Sequence, residues 1–397
     1  MKILYVQPGQ GVGGSKESLY QIIKALPGAY ERQVVLDSLS DTAYNERIQP
    51  YVSACHLLHL PTWQKYHRLT FFEHIRAPLG DAWRLLKCIA TAFKIARIIK
   101  HEEIDLVHTN NSMSPSGALA AWLSGVPHIW HVREPVGRNR QYPLLLGNYS
   151  LRLMQKLSRS LICNSDYTAE VFRVMRIPVQ VMLNGLDLPN FETINKSTRD
   201  IRNAYQIASD VCLVGMVGNL TTVWKRHDVF LDIAALILKT APRTRFIIFG
   251  GSANLEQTEY TRSLQRKANS LELTDHLIWA NYEDDIPGMM NAMDIVIHPA
   301  VTEGSGRVVM EAMACGKPVV AFRSGGVKEL IDDGVNGFLV EPTKPERAAE
   351  VTLRLLRDAT ARAIIGAAAR EYAINNFCTD TMIERLIDLY RVAVRRE

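Results

Sequence analysis

Residues 294–318 read DIVIHPAVTEGSGRVVMEAMACGKP. Asp294–His298 is a β-branched apolar run closed by Pro299, which reads as a buried strand. A short loop then brings Glu303 and the small residues Gly304, Ser305 and Gly306. Good helix formers follow from Arg307 to Ala314. The unit is strand, loop, helix. Ser305 stands where an N-cap belongs. Gly304 and Gly306 would let a ligand reach the backbone N–H groups at the helix start. Glu303 precedes the helix and Glu311 lies one to two turns into it. Two carboxylates thus bracket an anion-friendly helix start, and carboxylates are good acceptors for vicinal hydroxyls. An acid favoured by the helix dipole beside one solvated Glu would give the same letters.

The same alternation runs outward in both directions. On the N-terminal side, Ile3–Val6, Val34–Leu36, Leu106–His108, His128–Val132, Leu161–Cys163 and Val179–Leu183 are strand candidates. Ser15–Leu26, Asp81–Lys100 and Ser114–Ser124 are helix-length segments between them. Near Leu188 the rhythm stops, and LPNFETINKSTRD reads as a linker. It resumes with Val211–Val217, Arg245–Phe249, His276–Trp279, Asp294–His298 and Pro318–Ala321, with helices at Asp228–Lys239, Thr258–Ser270 and Arg307–Ala314. The expected class is α/β: two successive doubly wound, Rossmann-like domains, residues 1–190 and 200–378, with ligands in the crevice at the strands' carboxyl ends. A helical tail carries Met382, Ile383, Leu386, Leu389 and Tyr390 on one face.

The composition of the 397 residues is 47% hydrophobic and 22% charged, which excludes a disordered or low-complexity chain. A net charge of +5 is too small to argue nucleic-acid binding, and no nucleic-acid partner is expected. Six scattered cysteines form no C-x-x-C pair, so neither a zinc site nor a disulfide framework is expected. MKILYVQPGQG lacks a signal-peptide core, and no run of about 18 apolar residues exists to span a membrane. A cytoplasmic protein is expected. Residues 63–100 mix Trp, Phe, His, Lys and Arg, which leaves peripheral contact at the inner face of a membrane open. Leu86, Ile89, Phe93 and Ala96 within that stretch read as a core-facing stripe.

Three further places can carry chemistry. Gly13 and Gly14, in GQGVGGS after the first strand, suit a close backbone approach to an anion; a plain strand-to-helix turn needs the same residues. His131 stands at the carboxyl end of HIWHV, where it would point into the crevice, although a structural histidine fits there too. Gly218-Asn219 and Lys225-Arg226 lie between a strand and a helix, where two cations suit a diphosphate and a solvated basic turn is the alternative.

The E-x(7)-E spacing of Glu303 and Glu311, with EAMACGKPVV after it, resembles the signature of the retaining glycosyltransferases of family 4, also called glycosyl transferases group 1. GVGGS, DLVHTN, HIWHV, LNGLD, VGNL with Lys225, and RSGGVKELIDDGVNGFLVEP resemble other parts of that family in the same order. The resemblance implies a GT-B architecture, two Rossmann-like domains facing a central cleft, with the final helix 379–397 crossing back to the first. It implies transfer, with retention, from a UDP- or GDP-sugar to a glycan or lipid-linked hydroxyl in cell-surface polysaccharide or glycolipid synthesis.

By position, Glu311 would take the ribose hydroxyls, Glu303 the sugar hydroxyls and Lys225 the diphosphate. Gly304, Ser305, Gly306 and Arg307 would offer N–H groups. His131 would face the transferred sugar, and Gly13 and Gly14 would line the crevice from the other domain. Gly218, Asn219 and Arg226 complete the donor loop, while Asn184 and Asp187 would be structural. The family usually has Arg where this chain has Asn219, so Arg226 or Arg307 must supply that charge. No Asp-x-Asp pair lies near these residues, so neither a metal nor any other cofactor is expected. An epimerase or phosphorylase of the same fold, or a silent nucleotide-sugar-binding protein, are the competing readings.

Overall fold

Two separate parallel sheets organise the chain in the computed structural model, which describes residues 1–9, 13–40, 42–65, 71–137, 140–191, 201–251, 258–281 and 285–395. The chain divides into unit 1, Met1–Gly185 with Thr379–Glu397, and unit 2, Leu186–Cys378. Of the expected linker, Leu188–Phe191 forms a short 3-10 turn with Phe191 buried, and residues 192–200 lie outside the described residues.

Unit 1 holds β1 Lys2–Gln7, β2 Glu31–Asp37, β3 Ala54–Leu58, β4 Leu106–Asn110, β5 His128–Val132, β6 Ser160–Cys163 and β7 Gln180–Val181. Their order is β3-β2-β1-β4-β5-β6-β7, parallel throughout. The order reverses between β1 and β4, the switch point where open α/β sheets bind ligands. β1, β4 and β5 read as continuous apolar or buried runs because helices cover both faces. One core layer gathers Ile3, Tyr5, Leu19, Ile22, Val34 and Leu106 with Met382, Ile383, Leu386 and Tyr390 of the helix Thr379–Val394. That contact explains the apolar face of the tail.

Unit 2 holds β8 Leu213–Val217, β9 Arg245–Gly251, β10 Leu277–Asn281, β11 Ile295–His298, β12 Val319–Phe322 and β13 Phe338–Val340. The order is β10-β9-β8-β11-β12-β13, and its switch point lies between β8 and β11. Gly215 in β8 is a packing necessity: a Cβ there would sit 1.9 Å from the Met293 sulfur.

Three expectations need correction. The segment placed at Asp81–Lys100 is a helix from Phe71 to His101 that runs through Pro78 and Gly80. One proline removes a single backbone donor, and flanking turns can carry the helix past it. Within it, Leu86, Ile89 and Phe93 do not face the core: they are 56%, 44% and 54% exposed, whereas Ala96 is buried. The buried stripe runs instead through Cys88, Ala92, Ile95, Ala96 and Ile99. Finally, β7 is only Gln180–Val181, shorter than Val179–Leu183 suggested. The six cysteines are free thiols.

Candidate active site

In unit 2 the expected residues gather at the carboxyl ends of β8 and β11, on either side of the switch point. The turn after β8 is held from below by glycine. Gly250, at φ +129°, lies so close that a Cβ would stand 2.1 Å from the Gly218 carbonyl oxygen. The Gly218 N–H donates to the Phe249 carbonyl, and buried His227 donates from Nε2 to the Gly218 carbonyl at 3.1 Å. Burial pushes the His227 imidazole down to about 4, so it stays neutral and keeps that tautomer. Asn219 is exposed, and its Oδ1 accepts from the Thr221 N–H and hydroxyl, an Asx turn. It shapes the loop and brings no charge.

The chain then makes the turn Val223–Lys225, with Arg226 left-handed at φ +59° before the helix His227–Leu238. The Trp224 carbonyl accepts from the Val301 N–H at 3.0 Å, tying this turn to the loop after β11. Across that tie Lys225 Nζ donates to Glu303 Oε2 at 2.6 Å, with both side chains mostly buried. Burial alone would raise the Glu303 carboxyl. The Lys225 ammonium and nearby His298 overcome it and hold the carboxyl below its usual range. His298 closes the group: Nε2 stands 3.9 Å from Glu303 Oε2, and neither ring nitrogen has a hydrogen-bond partner among the described residues. Burial, then Lys225, bring it down to about 4, so His298 is neutral.

Glu303 is positioned from beneath by a second glycine pair. Gly325 is left-handed at φ +59°, and a Cβ there would meet the Glu303 carbonyl oxygen at 2.2 Å and its nitrogen at 2.8 Å. The Gly326 N–H donates to that carbonyl at 2.9 Å. The GG of RSGGVKEL therefore exists to let the acidic loop lie directly on it.

The helix Arg307–Ala314 is capped by Gly306 at φ +70°, not by Ser305. The chain enters through a left-handed turn that only glycine takes without strain, and Ser305 is left one position too early. The Gly306 cap carries no side chain, so the cap residue itself makes no side-chain hydrogen bond to the helix start. Arg307 Nε donates to Glu311 Oε1 at 2.8 Å, one turn along the same helix, and Glu311 is buried. Arg226 makes a two-point contact with Asp228. Each expected phosphate cation is thus matched to a carboxylate: Lys225 to Glu303, Arg307 to Glu311, Arg226 to Asp228.

In unit 1, Gly14 opens the helix Gly14–Ala25, with Gly13 as an uncapped, extended N-cap at φ −171°. That φ suits any residue, and a Cβ on Gly13 would meet nothing within 4 Å. Gln10–Val12 of the glycine loop lie outside the described residues. His131 is buried in β5 at 1% exposure. Arg133 Nη2 donates to His131 Nδ1 at 3.2 Å. Arginine has no acceptor, so Nδ1 carries the lone pair and the ring proton sits on Nε2. That Nε2–H has no partner among the described residues. Burial, then Arg133 and His108, push the His131 imidazole well below its usual range, so it is a neutral donor. Asn184 accepts from Arg133 and from Ser18 Oγ, a structural role. His128 is likewise structural, bonded to Ser158 and Thr109. The sequence reading missed two residues, His298 and Arg133. His298 stands at the carboxyl end of a parallel strand, the same signal that picked out His131.

Known proteins match over both units. Residues 197–372 match the profile of the glycosyl transferases group 1, and residues 12–189 that of glycosyltransferase family 4. A D-inositol 3-phosphate glycosyltransferase of Saccharomonospora viridis is 28% identical over 73% of this chain and 70% of its own length. The UDP-Gal:alpha-D-GlcNAc-diphosphoundecaprenol alpha-1,3-galactosyltransferase of Escherichia coli is 24% identical over 77% and 80%. Among solved structures, Anabaena HepE in complex with UDP superposes with a TM-score of 0.78 over 99% of this chain and all of that one, at 24% identity. With the two profiles spanning both sheets and the whole chain sharing the GT-B fold of two Rossmann-like domains, this protein belongs to the glycosyl transferases group 1, the family 4 glycosyltransferases.

Proposed function

We propose that the protein is a retaining hexosyltransferase that moves a sugar from a UDP- or GDP-sugar to a hydroxyl of a glycan or lipid-linked acceptor, in cell-surface polysaccharide or glycolipid synthesis in the cytoplasm. The observation that carries the reading is the Lys225–Glu303 pair at the β8/β11 switch point, beside a helix start capped by Gly306 alone. The relative from Escherichia coli, named for a UDP-sugar donor and a lipid-linked acceptor, supports the donor and acceptor classes.

Donor binding exchanges one set of charges for another. The diphosphate takes Lys225 and the amides around Gly304–Arg307, and Glu303 turns its oxygens to the sugar hydroxyls. Glu311 holds the ribose hydroxyls. The charge that Asn219 lacks comes from Arg307 or Arg226, each of which must loosen its carboxylate partner, Glu311 or Asp228, to reach a phosphate. The neutral Nε2–H of His131 is a donor suited to a sugar hydroxyl. The bond from the anomeric carbon to the diphosphate oxygen breaks, and its electron pair stays on the leaving phosphate. Lys225 and the helix start stabilise the charge that develops there. The acceptor hydroxyl attacks from the same face and gives its proton to that phosphate oxygen. No carboxylate nucleophile is needed.

A thermal-shift series with UDP-, GDP-, ADP- and TDP-sugars tests the donor. A ligand at about 100 times its dissociation constant stabilises by roughly 2.7 kcal/mol. A UDP- or GDP-sugar is expected to raise the melting temperature, and Glu311→Ala to remove most of the rise through lost ribose contacts. No rise with any sugar nucleotide would reject the donor class, and an unchanged rise in the variant would remove the role of Glu311. Transfer is also expected to survive a chelator, because protein cations and amides take the place of a metal at the phosphate. Complete loss in EDTA, restored by magnesium or manganese, would overturn that.

A further inference from the structure

The helix Phe71–His101 carries two apolar faces, where a helix lying on a sheet needs one. At about 100° per residue, Cys88, Ala92, Ile95 and Ile99 share the arc turned to the sheet, and all are buried. On the opposite arc, about 120° wide, stand Leu79, Trp83, Leu86, Ile89 and Phe93. These are 80%, 60%, 56%, 44% and 54% exposed. Single exposed apolar residues are ordinary; five on one stripe form a patch that a soluble surface avoids. The neighbouring helix Ser116–Ser124 packs against this one, with Ser116 Oγ donating to the Cys88 carbonyl, and it carries a further exposed aromatic side chain, Trp122, at 65% exposure.

The charge on this face has one sign. Lys87, Lys94, Arg97 and Lys100 are exposed on or beside the stripe, and Lys87 Nζ lies 5.6 Å from the Trp83 ring centroid. From Pro78 to His101 the one acid is Asp81, paired with Arg84. We propose that this stripe is a docking face for an anionic lipid surface, with the helix lying in the interface plane. Its aromatic and aliphatic side chains would enter the acyl boundary while the long cations reach the headgroup phosphates. A second copy is the poorer occupant, because a two-fold pairing would set these cations against their own images. The inference deepens the lipid-linked acceptor reading above, by giving such an acceptor a surface to arrive from. Its test uses neither donor nor acceptor, so either can fail without the other.

Flotation of the full chain with phosphatidylcholine vesicles, with and without phosphatidylglycerol, measures the binding. Wild type is expected to float with the anionic vesicles and far less with the neutral ones, and high salt is expected to weaken it. The double variant Trp83→Glu/Phe93→Glu should lose about tenfold or more of the bound fraction. The double variant Lys87→Glu/Lys94→Glu, which leaves the apolar stripe intact, should lose the preference for anionic vesicles. An unchanged melting temperature checks that each variant is folded. The proposal is overturned if wild type stays in the soluble fraction with anionic vesicles, or if both variants float as wild type does. It is also overturned, in favour of a second copy, if light scattering shows a dimer that Trp83→Glu/Phe93→Glu converts to monomer.

Discussion

Replacing Lys225 by alanine is expected to lower the turnover of sugar transfer about a hundredfold, equivalent to about 3 kcal/mol of lost transition-state stabilisation. Two effects act together. On the proposed mechanism the developing phosphate charge loses a stabilising cation, and Glu303 loses the partner that keeps its carboxyl below the usual range. With the ammonium gone, burial acts on Glu303 opposed only by His298, and its carboxyl moves upward. Glu303 would then be protonated over a wider range of acid pH and accept fewer hydrogen bonds from sugar hydroxyls. The loss in Lys225→Ala should therefore deepen as pH falls, more than in wild type. Lys225→Arg, which keeps a charge, should lose less. Initial rates across a pH series check all three statements, and a turnover for Lys225→Ala equal to wild type would remove Lys225 from the reaction.

The second large effect is structural. Gly325→Ala is expected to cost unit 2 about 3 kcal/mol or more, because a left-handed residue gains a Cβ that collides with the Glu303 backbone. For a domain of this size that corresponds to a melting point lower by about 6–12 °C. Relief requires the acidic loop to lift, which carries the Glu303 carboxylate away from Lys225. Donor affinity should fall with stability, whereas Gly28→Ala, where an added Cβ meets nothing within 4 Å, should change neither. Calorimetry with nucleotide titration separates the outcomes. A Gly325→Ala protein as stable as wild type would contradict the close approach described for residues 303 and 325.

Sheet strands were legible because a parallel sheet covered on both faces writes itself as apolar runs. His128–Val132 is such a run, and Asp294–His298 overlaps β11 at all but one residue. β3 and β13 escaped notice for physical reasons. Ala54–Leu58 is an edge strand with Cys55 and Leu57 exposed, so it shows no continuous run, and Phe338–Val340 is only three residues long. The helix Phe71–His101 misled because its period is correct for either face. Leu86, Ile89 and Phe93 are bulkier than Ala92 and Ala96, yet the small residues are the ones that fit against the sheet and Ser116–Ser124. At the candidate site the residue types were legible, and their pairing was not. A spacing of eight between Glu303 and Glu311 says nothing of Lys225, which the tie between Trp224 and Val301 brings across two strands. The role of Arg133 depended on an atom-level fact, the nitrogen of His131 to which it donates.

The helix Thr379–Val394 packs on the layer that contains Ile3 and Tyr5, and its Tyr390 hydroxyl meets His108 Nδ1 at 2.6 Å. A ribosome making this chain releases strands β1 to β7 first, then all of residues 186–378, and only afterwards the segment that roofs the first sheet. During that interval a broad oily surface of the earliest-made half faces water, with a whole domain folding between it and its cover. The two units are therefore interleaved in birth order: the first to be started is the last to be completed.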